Sequence, residues 1–284
     1  MKANSKATSK APARRGGRGA PTLAARADRH ALYEKSVQNA EAEIDFVDTT
    51  FRELRGRRAR WLREDFCGTA NVCAEWVRRR RDNVAIGVDL DASVLAWGRE
   101  HHVEPLSPAA RKRVRLLEAN VLTAKARHVD VLLAMNFSYW IFKTREQMRG
   151  YFATVRQNLV KDGLFVLDCY GGYDAFRVLK EPRKVGRFTY VWEQASYNPL
   201  TGDMTCHIHF KFKDGSSLKQ AFSYEWRLWT MPEIRELLIE AGFRQVIVYT
   251  QGWDEKTGEP NGEFSPAETA DPDAGWISYI VAVK

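Results

Sequence analysis

The chain has 284 residues, 44% of them hydrophobic and 28% charged, with a formal net charge of +8. That length and apolar content suffice for one large core, or one core with an insertion, and no stretch approaches the roughly 18 unbroken apolar residues that a membrane helix needs. The charge is unevenly spread: residues 1–27 carry Lys2, Lys6, Lys10, Arg14, Arg15, Arg18 and Arg26 and no acid, so the rest of the chain is nearly neutral. Phosphate binding demands a basic face, so nucleic acid is an unlikely partner for the folded part.

Residues 1–27, rich in Ala, Ser, Gly and Arg, cannot bury a core and are expected to be a disordered basic tail. From Ala31 to Leu54 the apolar residues Ile44, Phe46, Val47 and Phe51 recur at helical spacing. Next comes LREDFCGTANVCAEWVRRRRDNVAIGVDLD, from Leu62 to Asp91. It reads as a short strand, a turn of small residues, an amphipathic helix and an apolar strand that ends on Asp89.

In the turn, Cys67, Gly68, Thr69 and Ala70 carry little bulk, so a ligand can approach the main chain. Val72, Cys73, Trp76 and Val77 give the following helix one apolar face, and the helix N-terminus favours an anionic group, either a phosphate or an amino-acid carboxylate. Asp89, at the carboxyl end of Val84–Val88, is placed to accept ribose hydroxyls. The turn has one glycine, so it is not the Gly-x-Gly-x-x-Gly of nicotinamide and flavin enzymes, and no phosphate-cradling Gly-x-x-x-x-Gly-Lys-Ser/Thr occurs. The four cysteines, Cys67, Cys73, Cys169 and Cys206, show no Cys-x-x-Cys pairing and no secretory leader precedes them. Reduced thiols, no metal site and a cytoplasmic location are therefore expected. The run Arg78–Arg81 reads as a solvated helix end.

These residues resemble class I S-adenosylmethionine-dependent methyltransferases, whose first motif runs apolar-apolar-acid-x-Gly-x-Gly-x-Gly. On that pattern Glu64 stands at the acid, Gly68 at the central glycine, and Phe66 and Ala70 at the outer two, so two glycines of three are replaced. Asp89 matches the family's ribose-binding acid, and Ala119-Asn120-Val121 falls where the family contacts the adenine amino group. Asp130–Tyr139 looks like the fourth strand and the active-site motif after it, Lys161–Asp168 like the turn and fifth strand, and Met231–Phe243 like the late helix before the last two strands.

The resemblance implies an α/β fold: a doubly wound Rossmann-like sheet. It also implies S-adenosyl-L-methionine as cofactor, bound by Tyr33, Glu64, Phe66, Cys67, Gly68, Thr69, Asp89, Leu90, Asn120, Val121 and Asn136, with Tyr33 in a cap over it. Asn136 and Tyr139 are the first candidates for positioning the methyl acceptor, with Tyr249 and Trp253 next. N- and O-methylation of a small-molecule acceptor both stay open, beside two alternatives: a nucleic-acid or protein methyltransferase recruited by the basic tail, and a non-catalytic cofactor-binding module.

Between Tyr173 and Trp229 the pattern changes. Phe188–Tyr197, Met204–Phe212 and Leu218–Arg227 are aromatic and β-branched runs separated by turn sequences, which predicts an inserted three-stranded antiparallel β meander. In its middle strand Cys206, Ile208, Phe210 and Phe212 alternate with Thr205, His207, His209 and Lys211, one apolar face and one polar. Trp192, Tyr224, Trp226 and Trp229 are candidates for an aromatic wall facing a cationic amine. The expected organisation is a tail to residue 27, N-terminal helices and the cofactor-binding half at 28–172, the insertion at 173–229, and the last helix with two final strands at 230–284.

Overall fold

A computed structural model of the chain describes residues 20–126, 128–254, 256 and 260–284. Three helices come first: α1 (Leu23–Arg26), α2 (Arg29–Val37) and α3 (Ala40–Arg55). Asn39 separates α2 from α3 because its side chain accepts the Ala42 N–H and caps α3. The continuous periodicity read from Ala31 to Leu54 is thus two helices. Most of the expected basic tail lies outside the described residues. Its last part forms α1, where the Leu23 and Ala24 amides donate to Asp214 Oδ2 and Ser216 Oγ at 2.8 and 3.1 Å.

The alternating part follows: β1 (Trp61–Asp65), α4 (Asn71–Arg79), β2 (Val84–Asp89), α5 (Ala92–Gly98), α6 (Pro108–Arg111), β3 (Val114–Glu118), β4 (Val129–Ala134), α7 (Arg145–Asn158) and β5 (Leu159–Gly171). The antiparallel insertion is β6 (Leu179–Val185), β7 (Phe188–Tyr197), β8 (Asp203–Phe212) and β9 (Ser217–Arg227). The chain closes with α8 (Met231–Glu240), β10 (Gln245–Trp253), β11 (Pro260–Pro266) and β12 (Trp276–Val283).

The main sheet has the order β11-β10-β12-β5-β4-β1-β2-β3. Strands β1 to β5 are parallel, and β12 runs antiparallel to both β5 and β10. Strand order reverses between β1 and β4, so the crevice at their carboxyl ends is the expected ligand position in such a sheet. β4 is buried at every residue, as a strand covered on both faces must be. One face packs against α3 and α4 through Ile44, Phe51, Leu62 and Trp76; the other packs against α7, α8 and the insertion through Phe152, Phe165, Leu237 and Trp226.

Two expectations need correction. The insertion has four strands, in the order β6-β7-β8-β9. Leu179–Val185 carries Lys180, Glu181, Pro182, Arg183 and Lys184, a polar composition that hides an exposed edge strand. The end of the chain has three strands, because Pro260–Pro266 pairs antiparallel with β10 as an outer edge.

Candidate active site

Two groups of residues meet at the crevice. The first is the turn after β1. Phe66, Gly68 and Ala70 have φ of 58°, 51° and 58°, so all three positions that carry glycine in the resembled motif are left-handed here. Only glycine enters that region without cost. The backbone path is therefore the glycine one, built with two residues that strain to follow it. A Cβ on Gly68 would meet no atom within 4 Å, so the main chain there faces open space.

Asp89 fixes the turn from the next strand: the Gly68 amide donates to Asp89 Oδ2 at 2.8 Å, and the Asp91 amide to Oδ1 at 3.0 Å. The neighbouring Leu90 is 66% exposed, an apolar surface beside the carboxylate. Asn120 is exposed and its Oδ1 accepts the Leu122 amide, while Val121 is buried and its carbonyl accepts from Arg63.

Glu64 and Asp65 point to opposite faces of β1, as successive strand residues must. Glu64 accepts the Cys73 thiol at 3.1 Å and its backbone N–H in the first turn of α4, and burial pushes its carboxyl up to about 8. Asp65 pairs with the fully buried Arg63 at 2.6 Å and accepts the Tyr151 hydroxyl at 3.0 Å; burial outweighs that partner and raises it to about 6. Cys67 is buried, with its thiol pushed well above the ordinary range by burial and by the nearby acids. Thr69 donates to Glu34 at 2.5 Å, which ties α2 to the turn, and His102 contacts the same carboxylate oxygen at 2.6 Å.

The second group lines a cavity of about 1040 Å³ between the carboxyl ends of β4 and β5, the start of β12, α2, α3 and the insertion. Tyr33 and Asn136 line it; Glu64, Phe66, Cys67, Gly68, Thr69, Asp89, Leu90, Asn120 and Val121 do not. Asn136 and Phe137 are left-handed, with φ of 57° and 56°, and both of their amides donate to the Asp168 carboxylate at 2.7 and 2.9 Å. Burial raises Asp168 to about 7 in spite of those bonds.

Tyr139 is not brought to the cavity. It is fully buried and its hydroxyl donates to the Asp168 carbonyl at 2.6 Å, so it supports the loop from behind. Of the secondary candidates, Trp253 lines the cavity, whereas Tyr249 packs edge-on against Phe46 at 5.0 Å. From the insertion, Trp192, Tyr224 and Trp226 form one wall, with Tyr224 and Trp226 stacked at 4.4 Å. Trp229 is fully buried elsewhere, its indole N–H bonded to the Phe142 carbonyl. Tyr33 closes the wall: it lies beside Tyr224 and 4.9 Å from the Phe222 ring, while Arg183 donates to the Ser36 carbonyl.

None of the carboxylates that line the cavity was a site candidate from sequence, and two of them, Asp168 and Glu43, are buried. Asp168 closes the apolar run Leu164–Leu167, the position in β5 that Asp89 has in β2, and that parallel was its available signal. Glu43 falls on the apolar stripe of α3 with Ala40, Ile44, Val47 and Phe51, and an acid on such a stripe is a signal that periodicity alone passes over. Among the described residues no group of three or more His, Cys, Asp or Glu is placed to hold a metal, and no helix is long and apolar enough to cross a membrane.

No protein-family model matches the sequence, and no curated protein matches it. Solved structures do match. An S-adenosylmethionine-dependent methyltransferase from Clostridium acetobutylicum ATCC 824 has a TM-score of 0.64 at 16% identity, covering 89% of this chain and 96% of that one. CalS10, an amino pentose methyltransferase from Micromonospora echinaspora with the cofactor bound, has 0.62 at 18% identity, covering 89% and 95%. The sugar N-methyltransferase KedS8 from Streptoalloteichus sp ATCC 53650 has 0.60 at 16% identity, covering 100% and 98%. The fold is that of S-adenosylmethionine-dependent methyltransferases, and the resemblance read from the motifs is borne out at that level.

Proposed function

We propose that the chain is an S-adenosyl-L-methionine-dependent methyltransferase with a small-molecule acceptor. One observation carries this reading beyond the fold. The turn after β1 keeps three left-handed positions with an open main chain at Gly68, clasped by the carboxylate that ends β2. The residues fit the cofactor. Asp89 keeps lone pairs for ribose hydroxyls, Leu90 offers an apolar face for a purine beside Asn120, and the α4 N-terminus, with no side-chain cap from Ala70, favours a carboxylate.

When bound, S-adenosyl-L-methionine supplies a methyl group activated on a sulfonium centre. The chain's own contribution is alignment and exclusion of water. Asp168 holds the Asn136–Phe137 amides so that the Asn136 side chain lines the cavity where an acceptor enters. The Tyr33–Tyr224 contact closes α2 over the insertion. N-methylation is favoured over O-methylation, because the cavity is lined by carboxylates and aromatic faces that suit an amine, and because KedS8 is described as a sugar N-methyltransferase and CalS10 as an amino pentose methyltransferase. A screen of small amines and alcohols with S-adenosyl-L-methionine, read as S-adenosylhomocysteine release, tests the proposal. Release with an amine is the expected result. Bound cofactor with no turnover on any acceptor contradicts it.

A further inference from the structure

Resting on the methyltransferase reading, the geometry points to an acceptor that carries at least two protonated nitrogens, one held deep in the cavity by Glu43 and Asp168 and another at its rim by Asp271 and Asp273. Seven carboxylates line the cavity against two guanidinium groups, those of Arg183 and Arg235, although the described body is close to neutral overall. Acid is thus concentrated where a ligand enters, and a polar group of opposite sign is the complement that such a surface selects.

The deep site is built and unsatisfied. Glu43 is only 6% exposed, it lines the cavity, and its Oε2 has no hydrogen-bond partner. A buried carboxylate oxygen without a donor costs free energy that a ligand N–H recovers. The acids facing Glu43 are Glu64 and Asp168, with the Tyr33 and Tyr279 rings beside it and no basic side chain among the groups that act on it. Burial and those two acids keep a proton on Glu43 in the ligand-free chain, and an ammonium is the cation that takes that proton's place. The wall of Trp192, Tyr224 and Trp226 offers ring faces along the way in, which a cation also prefers.

The rim is a second, separate tier. Asp168 is paired with Tyr279 and Gly171 with Trp276, so three residues of strand, roughly 10 Å, separate Asp168 from the start of β12. Asp271 and Asp273 lie just before that start. Both are exposed, and neither makes an ion pair among the described residues, whereas the neighbouring Asp174 is neutralised by Arg177 at 2.7 Å. They are remote from the turn after β1 and from Asp89, the proposed cofactor contacts: β12 is three strand spacings from β1, roughly 14 Å, and farther from β2. The rim charge is left for the acceptor.

The test uses the full chain saturated with S-adenosylhomocysteine, whose binding is measured first by calorimetry. The probes are 1,7-diaminoheptane and 7-amino-1-heptanol, equal in length and different by one charge. The diamine is expected to bind about tenfold tighter at low salt, with the advantage shrinking as salt rises. Asp271→Asn with Asp273→Asn, at two exposed positions outside the core, is expected to bring the diamine down to the amino alcohol and leave that weaker ligand unchanged. Equal affinity of the two probes in the wild-type chain overturns the inference, as does an advantage that survives the rim substitutions. Failure of S-adenosylhomocysteine to bind at all is a different result and removes the methyltransferase reading itself.

Discussion

Asp89 does two jobs with one carboxylate. It holds the Gly68 amide at 2.8 Å and the Asp91 amide at 3.0 Å, and it has lone pairs left for a ligand. Asp89→Ala removes the clasp and, with it, the ribose acceptor that the proposed function assigns to this carboxylate, so affinity for S-adenosylhomocysteine is expected to fall by about 1.5–3 kcal/mol in a chain that stays folded. Calorimetry on the variant, with circular dichroism as the folding control, checks this; wild-type affinity places the pocket elsewhere. Glu43 makes a prediction with a definite sign. Its carboxyl is raised from 4.5 to about 8 by burial first and by Glu64 and Asp168 after it. A folded value above the unfolded one means that the native state binds the extra proton. Its contribution to stability is complete below about pH 4.5 and is lost as pH rises toward 8. Glu43→Gln is therefore expected to raise the melting temperature of the ligand-free chain at pH 8, by about 2–4 °C for each kcal/mol recovered, and to leave it nearly unchanged at pH 4.5. Equal shifts at both pH values contradict the assignment.

Among the elements, the turn from Phe66 to Ala70 shows what sequence does and does not reveal. Read as letters, the motif has lost two glycines. Read as dihedral angles, it has lost none, since Phe66 and Ala70 hold the left-handed conformation that glycine would. The reason lies in the packing. Phe66 packs edge-on against Phe142 and tilted against Tyr151, at 6.3 and 5.9 Å, and Ala70 is fully buried against the α4 cluster. Contacts that are distant in sequence thus meet a strain that neighbouring residues cannot disclose. Ala70→Gly should relieve it: urea unfolding is expected to show a change between zero and about 1 kcal/mol of stabilisation, where the same exchange inside a helix costs about 1 kcal/mol. A clear loss of stability shows that the position is not strained. The insertion was legible as three strands because β7, β8 and β9 alternate apolar and polar residues; β6 was hidden by its charged composition, and the short edge β11 by its Asn, Gly and two prolines. Its wall predicts separable subsites. Trp192→Ala is expected to raise the acceptor KM severalfold and leave S-adenosylhomocysteine affinity within about twofold. Equal damage to both makes the insertion a cofactor lid.

Across the whole molecule, the doubly wound α/β class, the presence of an antiparallel insertion and the near-neutrality of the body were readable, because each rests on patterns repeated over many residues. The cavity was not. Its carboxylates come from α3, β5, the segment after β5, β6 and the segment before β12, a convergence that only the closed sheet produces. The same distance effect explains Tyr139, which sequence places beside Asn136 but which the fold turns inward onto the Asp168 carbonyl. The central claim is that the crevice at the β1–β4 reversal holds S-adenosyl-L-methionine against a small acceptor. Calorimetric titration of the full chain with S-adenosylhomocysteine, beside NAD and ATP, measures it most directly. One site of micromolar or tighter affinity for S-adenosylhomocysteine, with no binding of the other two nucleotides, is the predicted result; absence of that site, or preference for a pyrophosphate-containing nucleotide, contradicts it.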